Sequence, residues 1–592
     1  MGFTLMDVEE RESLYFDESR RLTGPNLFFA ASGAVLEAHG PAAHSAIAHQ
    51  RWRHYVEHLG VALDWHATEC VARIHKTATS LAVSAPIDQL FTATEVNEWA
   101  WETATAELHP ELVVSNAVAD VSNDIGNVDA AIVRLRARAR EERNPGLGVL
   151  LEGAAANGLA VFHDVDTISV GAGSGSRSWP LDGLPTVAML DDASLHNIPV
   201  VLVTGSNGKT TTVRLIAAMA DAAGMHAGYS CTEGVFVAGE EIFCGDYSGP
   251  MGARTVLRDA RVQCAVLETA RGGMLRRGLA VNRADVAVVT NISADHFGEY
   301  GIDNLDDLAD AKLIVANVVA EQGVLVLNAE DPVLMRRSSH FCSKVAVFAG
   351  DWNHPIIADA RAAGRSVCAV RDGRVCMVHD GSTSDLGGIT QMPLTAGGSA
   401  TYNVGNIMAA ALAAAAIGVA PANIALVLAR FGATRFDNPG RLERWNIDGI
   451  HVLLDYAHNP AGLAGLMHVA NDLQRAQGGR IGLLLGQAGN REDDDVQALA
   501  RMAAACAPDM IILKDLDGML RGREPGAVPA IMLDTLLEAG FDVQRTQTIL
   551  DEFAAAKALF VWAKAGDVLV MPMHGVAPRE ALREWLDGGA PA

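Results

Sequence analysis

Pro199-Val200-Val201-Leu202-Val203-Thr204-Gly205-Ser206-Asn207-Gly208-Lys209-Thr210-Thr211 is the stretch whose reading decides the fold. Its apolar, β-branched run reads as a buried strand, two glycines break the run, and the amphipathic residues 212–220 continue as a helix. Strand, glycine loop and helix in that order build a phosphate cradle, because glycine lets backbone N–H groups close on oxygens and a helix N-terminus carries partial positive charge. Gly205, Asn207 and Gly208 shape the loop, Lys209 brings a cation to the terminal phosphates, and Thr210 or Thr211 offers a hydroxyl to Mg²⁺. A plain glycine turn needs none of the last three. The stretch is read as a shortened P-loop.

Working outward, strand-like runs at 264–267, 286–290 and 324–327 alternate with helical segments at 305–320 and 404–418. That rhythm predicts an α/β domain with a parallel-type sheet over 196–436. Beyond Pro439-Gly440, strands at 450–454, 481–485, 510–513 and 567–571 alternate with Ala- and Leu-rich helices, which predicts a smaller Rossmann-like domain over 437–592. Upstream, residues 1–155 mix helical and strand-like pieces around Trp52, Trp65, Trp99 and Trp101 and are read as an α+β domain. Between them lies 156–195, where Gly171-Ala172-Gly173-Ser174-Gly175-Ser176-Arg177-Ser178-Trp179-Pro180 is rich in turn formers. No Lys at a strand-to-helix switch accompanies these glycines, so this segment is read as a linker. The expected fold is therefore multidomain α/β.

Bulk properties narrow the partners. A chain of 592 residues is too long for one core. With 71 acids against 46 bases the net charge is -25, which repels nucleic acid and anionic membrane surfaces and tolerates a cationic co-substrate. Eight cysteines occur without a C-x-x-C pair, several inside apolar runs, the pattern of reduced and mostly buried thiols. The first ten residues lack a basic segment followed by an apolar core, and no stretch of about twenty apolar residues occurs. The cytoplasm is the expected location.

A P-loop alone does not separate ligases from switches or kinases, so three further segments matter. Glu268 ends the run Ala265-Val266-Leu267-Glu268 and puts a carboxylate at a sheet edge, able to hold a metal. Asn291-Ile292-Ser293-Ala294-Asp295-His296 follows a buried strand, and Lys312 lies sixteen residues beyond His296. Asn438-Pro439-Gly440-Arg441 precedes a strand that ends Asp455-Tyr456-Ala457-His458-Asn459-Pro460, and Arg441 suits a nucleotide phosphate.

Taken in order these segments resemble the Mur ligase family. The runs Thr232-Glu233-Gly234-Val235-Phe236, Gly245-Asp246-Tyr247-Ser248-Gly249-Pro250 and Glu268-Thr269-Ala270-Arg271-Gly272-Gly273 are most similar to the Mur-ligase half of cyanophycin synthetases. The resemblance implies Lys209 and Thr210 on ATP phosphates and Mg²⁺, Glu268 and His296 on Mg²⁺, and Lys312 as a carbamylated lysine by a second metal. It further implies Asn406 facing adenine, with Arg441 and Asp455 on phosphate and ribose. Lys209, His296 and Lys312 would form the catalytic set. Arg271, His458, Arg491, Lys514, Asp517 and Arg521 are candidate contacts for the amine or the acceptor carboxylates.

Departures accompany the matches. Cyanophycin synthetases carry an ATP-grasp domain between N-terminal domain and Mur half, for which this chain has no room. Asn490, in the loop Gly486-Gln487-Ala488-Gly489-Asn490-Arg491, stands where relatives commonly show Asp. The expected activity is an ATP-dependent ligase joining an amino acid, a basic one on the cyanophycin resemblance, to an amino-acid or peptide carboxylate through an acyl phosphate. Its partners would be small molecules, and the resemblance implies a homo-oligomer. A P-loop protein that hydrolyses nucleotide to switch conformation, or a degenerate ligase kept as a scaffold, are the alternatives; Lys312 discriminates, because a switch has no use for it.

Overall fold

A computed structural model describes residues 16–17, 19–109, 124–164, 166–294, 297–341, 343–516 and 518–590. The chain divides into two compact units, Met1–Leu202 with Gly228–Ala284 and Gly298–Ala320, and Val203–Ala227 with Asp285–Phe297 and Glu321–Ala592.

In the first unit an antiparallel sheet takes the order Arg20–Leu22, Gly33–Ala38, Thr79–Ser84, Cys70–Ile74. Side chains alternate across it with period two: Ala34, Leu36, Leu81 and Val83 join the core under helices Ala46–Ala62, Leu90–Leu108 and Val128–Glu142, while Val35 and Ala82 join Leu22 and Phe29 in a smaller cluster. Trp52, Trp99 and Trp101 fill the larger core. The Trp52 indole N–H donates to Asn97 Oδ1 (2.8 Å), and Asn97 Nδ2 donates to the Leu81 carbonyl (2.8 Å), so the polar atoms carried inside are satisfied. The architecture is α+β.

The reading of 156–195 as a linker is corrected here. Strands Val161–His163, Thr167–Val170 and Arg177–Pro180 form an antiparallel sheet. Its Ile168 and Val170 share a core with Leu147, Leu150 and Ala154 of helix Pro145–Ala156 and with Leu190 and Leu195. The glycines of 171–175 serve a turn within that module. It leads directly to the strand Val200–Thr204, with no ATP-grasp region between.

Also in the first unit, strands run in the order Glu240–Cys244, Gly234–Val237, Ala227–Cys231, Cys264–Glu268, and the Ala265 N–H donates to the Pro199 carbonyl. The strand Cys264–Glu268 is buried throughout, so Glu268 is carried to its end by apolar residues on both faces. Asn304 caps helix Leu305–Lys312, its side chain accepting from Asp306 and Asp307 N–H. Where a continuous helix to 320 was expected, the chain tightens into a 3-10 turn at Leu313–Val318, because strand Val319–Asn328 starts at once and leaves no length for another α turn.

In the second unit the Thr290 N–H donates to the Thr204 carbonyl, and strands Ala284–Val289, Val319–Asn328, Lys344–Ala349 and Val367–Arg371 follow in order, the last three parallel. An antiparallel hairpin, Arg374–His379 with Ser382–Gly388, ends the sheet. Helix Lys209–Ala222 packs on helix Thr401–Ala416, whose buried positions include Ala409, Ala410, Ala411, Ala413, Ala414 and Ala415. A six-stranded sheet of order Glu443–Ile447, Ile450–Asp455, Val568–Pro572, Ile481–Leu485, Met510–Leu513, Thr546–Thr548 completes the unit. All neighbours but the first pair are parallel, and hydrophobic cores cover both faces, the Rossmann-like pattern expected. Among the described residues no helix is long and apolar enough to cross a membrane.

Candidate functional site

The glycine loop closes the strand Val200–Thr204 and opens the helix Lys209–Ala222. Gly205 has φ +146° and Gly208 φ +87°, both outside the range L side chains favour. Space excludes a side chain as well: a Cβ on Gly205 would lie 1.9 Å from Thr290 Oγ1, and one on Gly208 2.1 Å from Asn406 Oδ1. Gly208 caps the helix without a side-chain hydrogen bond. Helix N-termini so built present first-turn N–H groups to an anion.

Residues 290–293 brace this loop. The Ser206 N–H donates to the Asn291 carbonyl (2.9 Å) and the Asn207 N–H to Asn291 Oδ1 (3.0 Å). In return Asn291 Nδ2 (3.0 Å) and Thr290 Oγ1 (2.6 Å) donate to the Asn207 carbonyl, while Ser206 Oγ donates to the Ser293 carbonyl (3.0 Å). Lys209 Nζ lies over the loop, donating to the carbonyls of Gly205 (3.1 Å) and Ser206 (3.2 Å). A cation held only by carbonyl oxygens can exchange them for phosphate oxygens.

Within the same unit three side chains from 438–459 reach the loop. Asn438 Nδ2 donates to Thr211 Oγ1 (3.1 Å), Arg441 Nη2 to Thr210 Oγ1 (3.3 Å), and Asn459 Nδ2 to Asn207 Oδ1 (3.0 Å). Asn459 also caps helix Pro460–Gln477, accepting from the Gly462 N–H (2.8 Å). The Arg441 guanidinium stands 4.5 Å from the Tyr456 ring centroid. Asp455 accepts the Leu442 N–H (2.8 Å); burial pushes its carboxyl above the usual carboxylate range, and the Arg441 charge and backbone N–H groups oppose that rise. Asn406 is buried, with Nδ2 on Asn403 Oδ1 (3.0 Å) and Asn403 in turn on the Leu394 carbonyl (3.0 Å). Of the sequence-predicted residues, the structure thus gathers Gly205, Asn207, Gly208, Lys209, Thr210, Thr211, Asn406, Arg441 and Asp455 in the second unit.

Glu268, Arg271 and Lys312 belong to the first unit. Glu268 is 2% exposed, and Thr232 donates to both its carboxylate oxygens, Oγ1 to one (3.0 Å) and its N–H to the other (3.4 Å). Lys312 is the last residue of helix Leu305–Lys312 and is 3% exposed. Arg271 is buried and ion-paired with Glu299. The carboxylate of Glu268 and the hydroxyl of Thr210 are hard oxygen donors, the chemistry that suits Mg²⁺. His296 and Asp517 lie outside the described residues.

Lys514 is a correction. Expected to contact substrate, it is wholly buried and ion-paired with Glu552, also wholly buried. The N–H groups of His574 and Gly575 donate to the same carboxylate (3.0 Å each). With its counter-charge supplied by Glu552 and no exposed surface, its ammonium serves the fold. His458 is half-buried with Nδ1 near the Tyr456 carbonyl (3.1 Å); Arg491 is half-buried and lends its carbonyl to Arg523 Nη2 (2.6 Å); Arg521 is exposed, at φ +50°.

Sequence reading gave no role to Thr290, Asn438, Asn459 or His574. His574 is buried beside Tyr456 (centroids 4.9 Å), Nε2 near the Ala457 carbonyl (3.2 Å), and burial with the Lys514 charge drives its imidazole well below the usual range. Asn459-Pro460 was the available signal, since Asn before Pro at a helix start marks a cap.

Residues 203–414 match the Mur ligase middle domain and residues 440–572 the Mur ligase glutamate ligase domain, together more than half of the chain. Cyanophycin synthetase of Synechocystis sp. is 34% identical over 79% of this chain and 52% of its own length; that of Crocosphaera subtropica is 35% identical over 69% and 48%. The chain spans about half the length of these relatives. A UDP-N-acetylmuramoyl-L-alanyl-D-glutamate--2,6-diaminopimelate ligase of Chlorobaculum tepidum is 27% identical over 69% of this chain and 79% of its own. Among solved structures, a bifunctional folylpolyglutamate synthase/dihydrofolate synthase from Yersinia pestis aligns at TM-score 0.47 and 17% identity, covering 66% of this chain and 89% of that one. With a braced P-loop in the middle domain match and Arg441 and Asn459 meeting it from the second match, the chain belongs to the Mur ligase family.

Proposed function

We propose that this protein is an ATP-dependent ligase that joins a carboxylate to an amine through an acyl phosphate. The observation that carries the reading is the triple contact of Asn438, Arg441 and Asn459 with Thr211, Thr210 and Asn207, two of which, Arg441 and Asn459, join the glutamate ligase domain match to a phosphate cradle.

A free carboxylate resists an amine because its leaving group is too poor. Transfer of the γ-phosphoryl group to a carboxylate oxygen gives the acyl phosphate and ADP; the amine nitrogen then attacks the acyl carbon, the C–O bond breaks with its electrons to phosphate, and the nitrogen loses a proton. The products are an amide, ADP and phosphate. Lys209 and Arg441 supply fixed positive charge where phosphoryl charge builds, without reorganisation at the moment of reaction. Asp455 is assigned to the ribose and Asn406 to the base. Magnesium, when bound, would neutralise phosphate oxygens; Thr210, Glu268, His296 and a carbamylated Lys312 are the ligands that the family resemblance assigns to it.

The substrate pair is assigned as a basic amino acid and the carboxylate of an amino acid or short peptide. Support comes from 34% identity with a cyanophycin synthetase over 79% of the chain and from a net charge of -25 that favours a cationic co-substrate. A cytoplasmic location accords with the described cysteines, which form no disulfide among the described residues. We keep self-association as part of the proposal; light scattering of the purified chain reads it. Phosphate release from the purified protein with ATP, a panel of amino acids and a panel of carboxylates tests the activity. Release that depends on both partners is expected, and release indifferent to every amine would return the chain to the nucleotide-switch reading.

A further inference from the structure

The four-stranded sheet of the first unit carries a contact that reaches toward Lys312. Its strand Cys70–Ile74 and the turn beyond lie against residues 300–307. Arg73 Nη1 donates to the Gly301 carbonyl (2.7 Å) and Nη2 to Asp307 Oδ1 (2.6 Å); the Lys76 N–H donates to Asp303 Oδ2 (2.7 Å). Asp307 Oδ2 accepts the Asp303 N–H (3.1 Å), so one guanidinium and one carboxylate tie the loop to the first turn of helix Leu305–Lys312. The approach is close enough that a Cβ on Gly301, at φ +67°, would lie 2.6 Å from His75 Cδ2 and 2.7 Å from Arg73 Nη1.

The ground behind Arg73 is equally fixed. Tyr300, at φ +54°, places its ring 4.2 Å from the Arg20 guanidinium and accepts Arg276 Nε on its hydroxyl (2.7 Å). Arg20 and His75 both bind Glu37, which also accepts Ser80 Oγ (2.7 Å). Burial alone would push the Glu37 carboxyl up, yet the bond from His75, the Arg20 charge and the bond from Ser80 together bring it below the usual range.

An eight-residue helix is marginal by itself, so its rotation is set by tertiary anchors. A planar fork that meets two acceptors at once fixes orientation as a point charge cannot. We propose that Arg73 is a positioning residue, through which the N-terminal sheet sets the register and rotation of the helix that presents Lys312. This rests on the reading of Lys312 as a group that acts in ligation. It assigns to the N-terminal domain a part in catalysis at a distance.

The test uses the full chain with Arg73→Ala, Arg73→Lys and, as the milder change, Asp307→Asn. With arginine and an aspartyl peptide as probe substrates, Arg73→Ala should lower kcat at least about tenfold, since about 1 Å of misplacement can cost a hundredfold, with the KM for ATP unchanged. Arg73→Lys should restore little, whereas millimolar guanidinium should restore part of the loss in Arg73→Ala and none in Lys312→Ala. Amide exchange in residues 305–312 should quicken in Arg73→Ala and Asp307→Asn but not in the P-loop. Unchanged exchange, or quickened exchange with wild-type kcat, overturns the proposal. Should wild-type protein show no amine-dependent turnover, the ligase reading itself fails, and ¹³C-bicarbonate labelling decides for Arg73 separately. A Lys312 carbamate signal weakened in Arg73→Ala supports positioning; a signal absent, or equal in both proteins, overturns it.

Discussion

Two lysines in the second unit follow buried strands, Lys209 across the glycine loop after Val200–Thr204 and Lys514 directly after Met510–Leu513, and have opposite surroundings. Among the described residues Lys209 is half-buried with its ammonium on backbone carbonyls of its own loop, while Lys514 is wholly buried against the carboxylate of Glu552. A charge whose counter-charge is supplied by the protein is finished structure. One that rests on carbonyl dipoles is ready to exchange them for an anion. Both follow a buried strand in sequence, so the neighbour separates a binding residue from a structural one.

The comparison can be broken in several ways. Lys209→Met should abolish ligation, a loss of at least about a hundredfold in kcat by analogy with loss of one charge-stabilising donor, with the thermal midpoint little changed; phosphate release and calorimetry together read it. A large drop in midpoint would mean that Lys209 is structural too. Lys514→Met should do the reverse. It strands a buried carboxylate and should cost about 3–5 kcal/mol in urea unfolding, whereas Lys514→Met with Glu552→Leu should recover much of that loss, because an apolar pair needs no desolvation. If the double variant is no better than the single, the pair is not what holds this region.

A smaller effect is expected at Asn438, whose bond to Thr211 is a neutral one: Asn438→Ala should cost about 1 kcal/mol, read as a several-fold rise in the KM for ATP. A last effect concerns a charge with incomplete compensation. Burial, with Glu98 nearby, pushes Glu102 up to about 7, against the pull of Arg134. The folded state then holds a proton that the unfolded chain releases near its ordinary carboxyl value. That contribution to stability is whole at low pH and is lost as pH rises through about 7. Midpoints measured across this window should decline in the wild type and stay flatter in Glu102→Gln; parallel curves would dismiss the raised value.

Much of this was readable from residue order. The P-loop was legible because strand, glycines, Lys and hydroxyl residues are contiguous, and the C-terminal sheet because its apolar runs recur between helices. The module at 161–180 was hidden: its strands are three or four residues long, and its core draws on Leu147 and Leu190, on either side of the glycines. The hairpin Arg374–Gly388 was missed for a related reason, its Ser382–Gly388 strand being polar and glycine-rich and held by its backbone ladder and the Arg374–Asp385 pair. Lys514 misled because its partner lies 38 residues away. Arg73 drew no notice, since its acceptors follow more than two hundred positions later.

The alanines of helix Thr401–Ala416 have a bearing on how this chain can change over time. These buried alanines lie on a helix that packs against the helix beginning at Lys209 and against strands of the same sheet. Buried alanine leaves little to trim, and anything larger must push its neighbours outward at about 1–3 kcal/mol a step. Drift elsewhere can be absorbed by repacking, but this seam admits almost no spelling other than its own, so lineages that diverge widely at the surface should still share it.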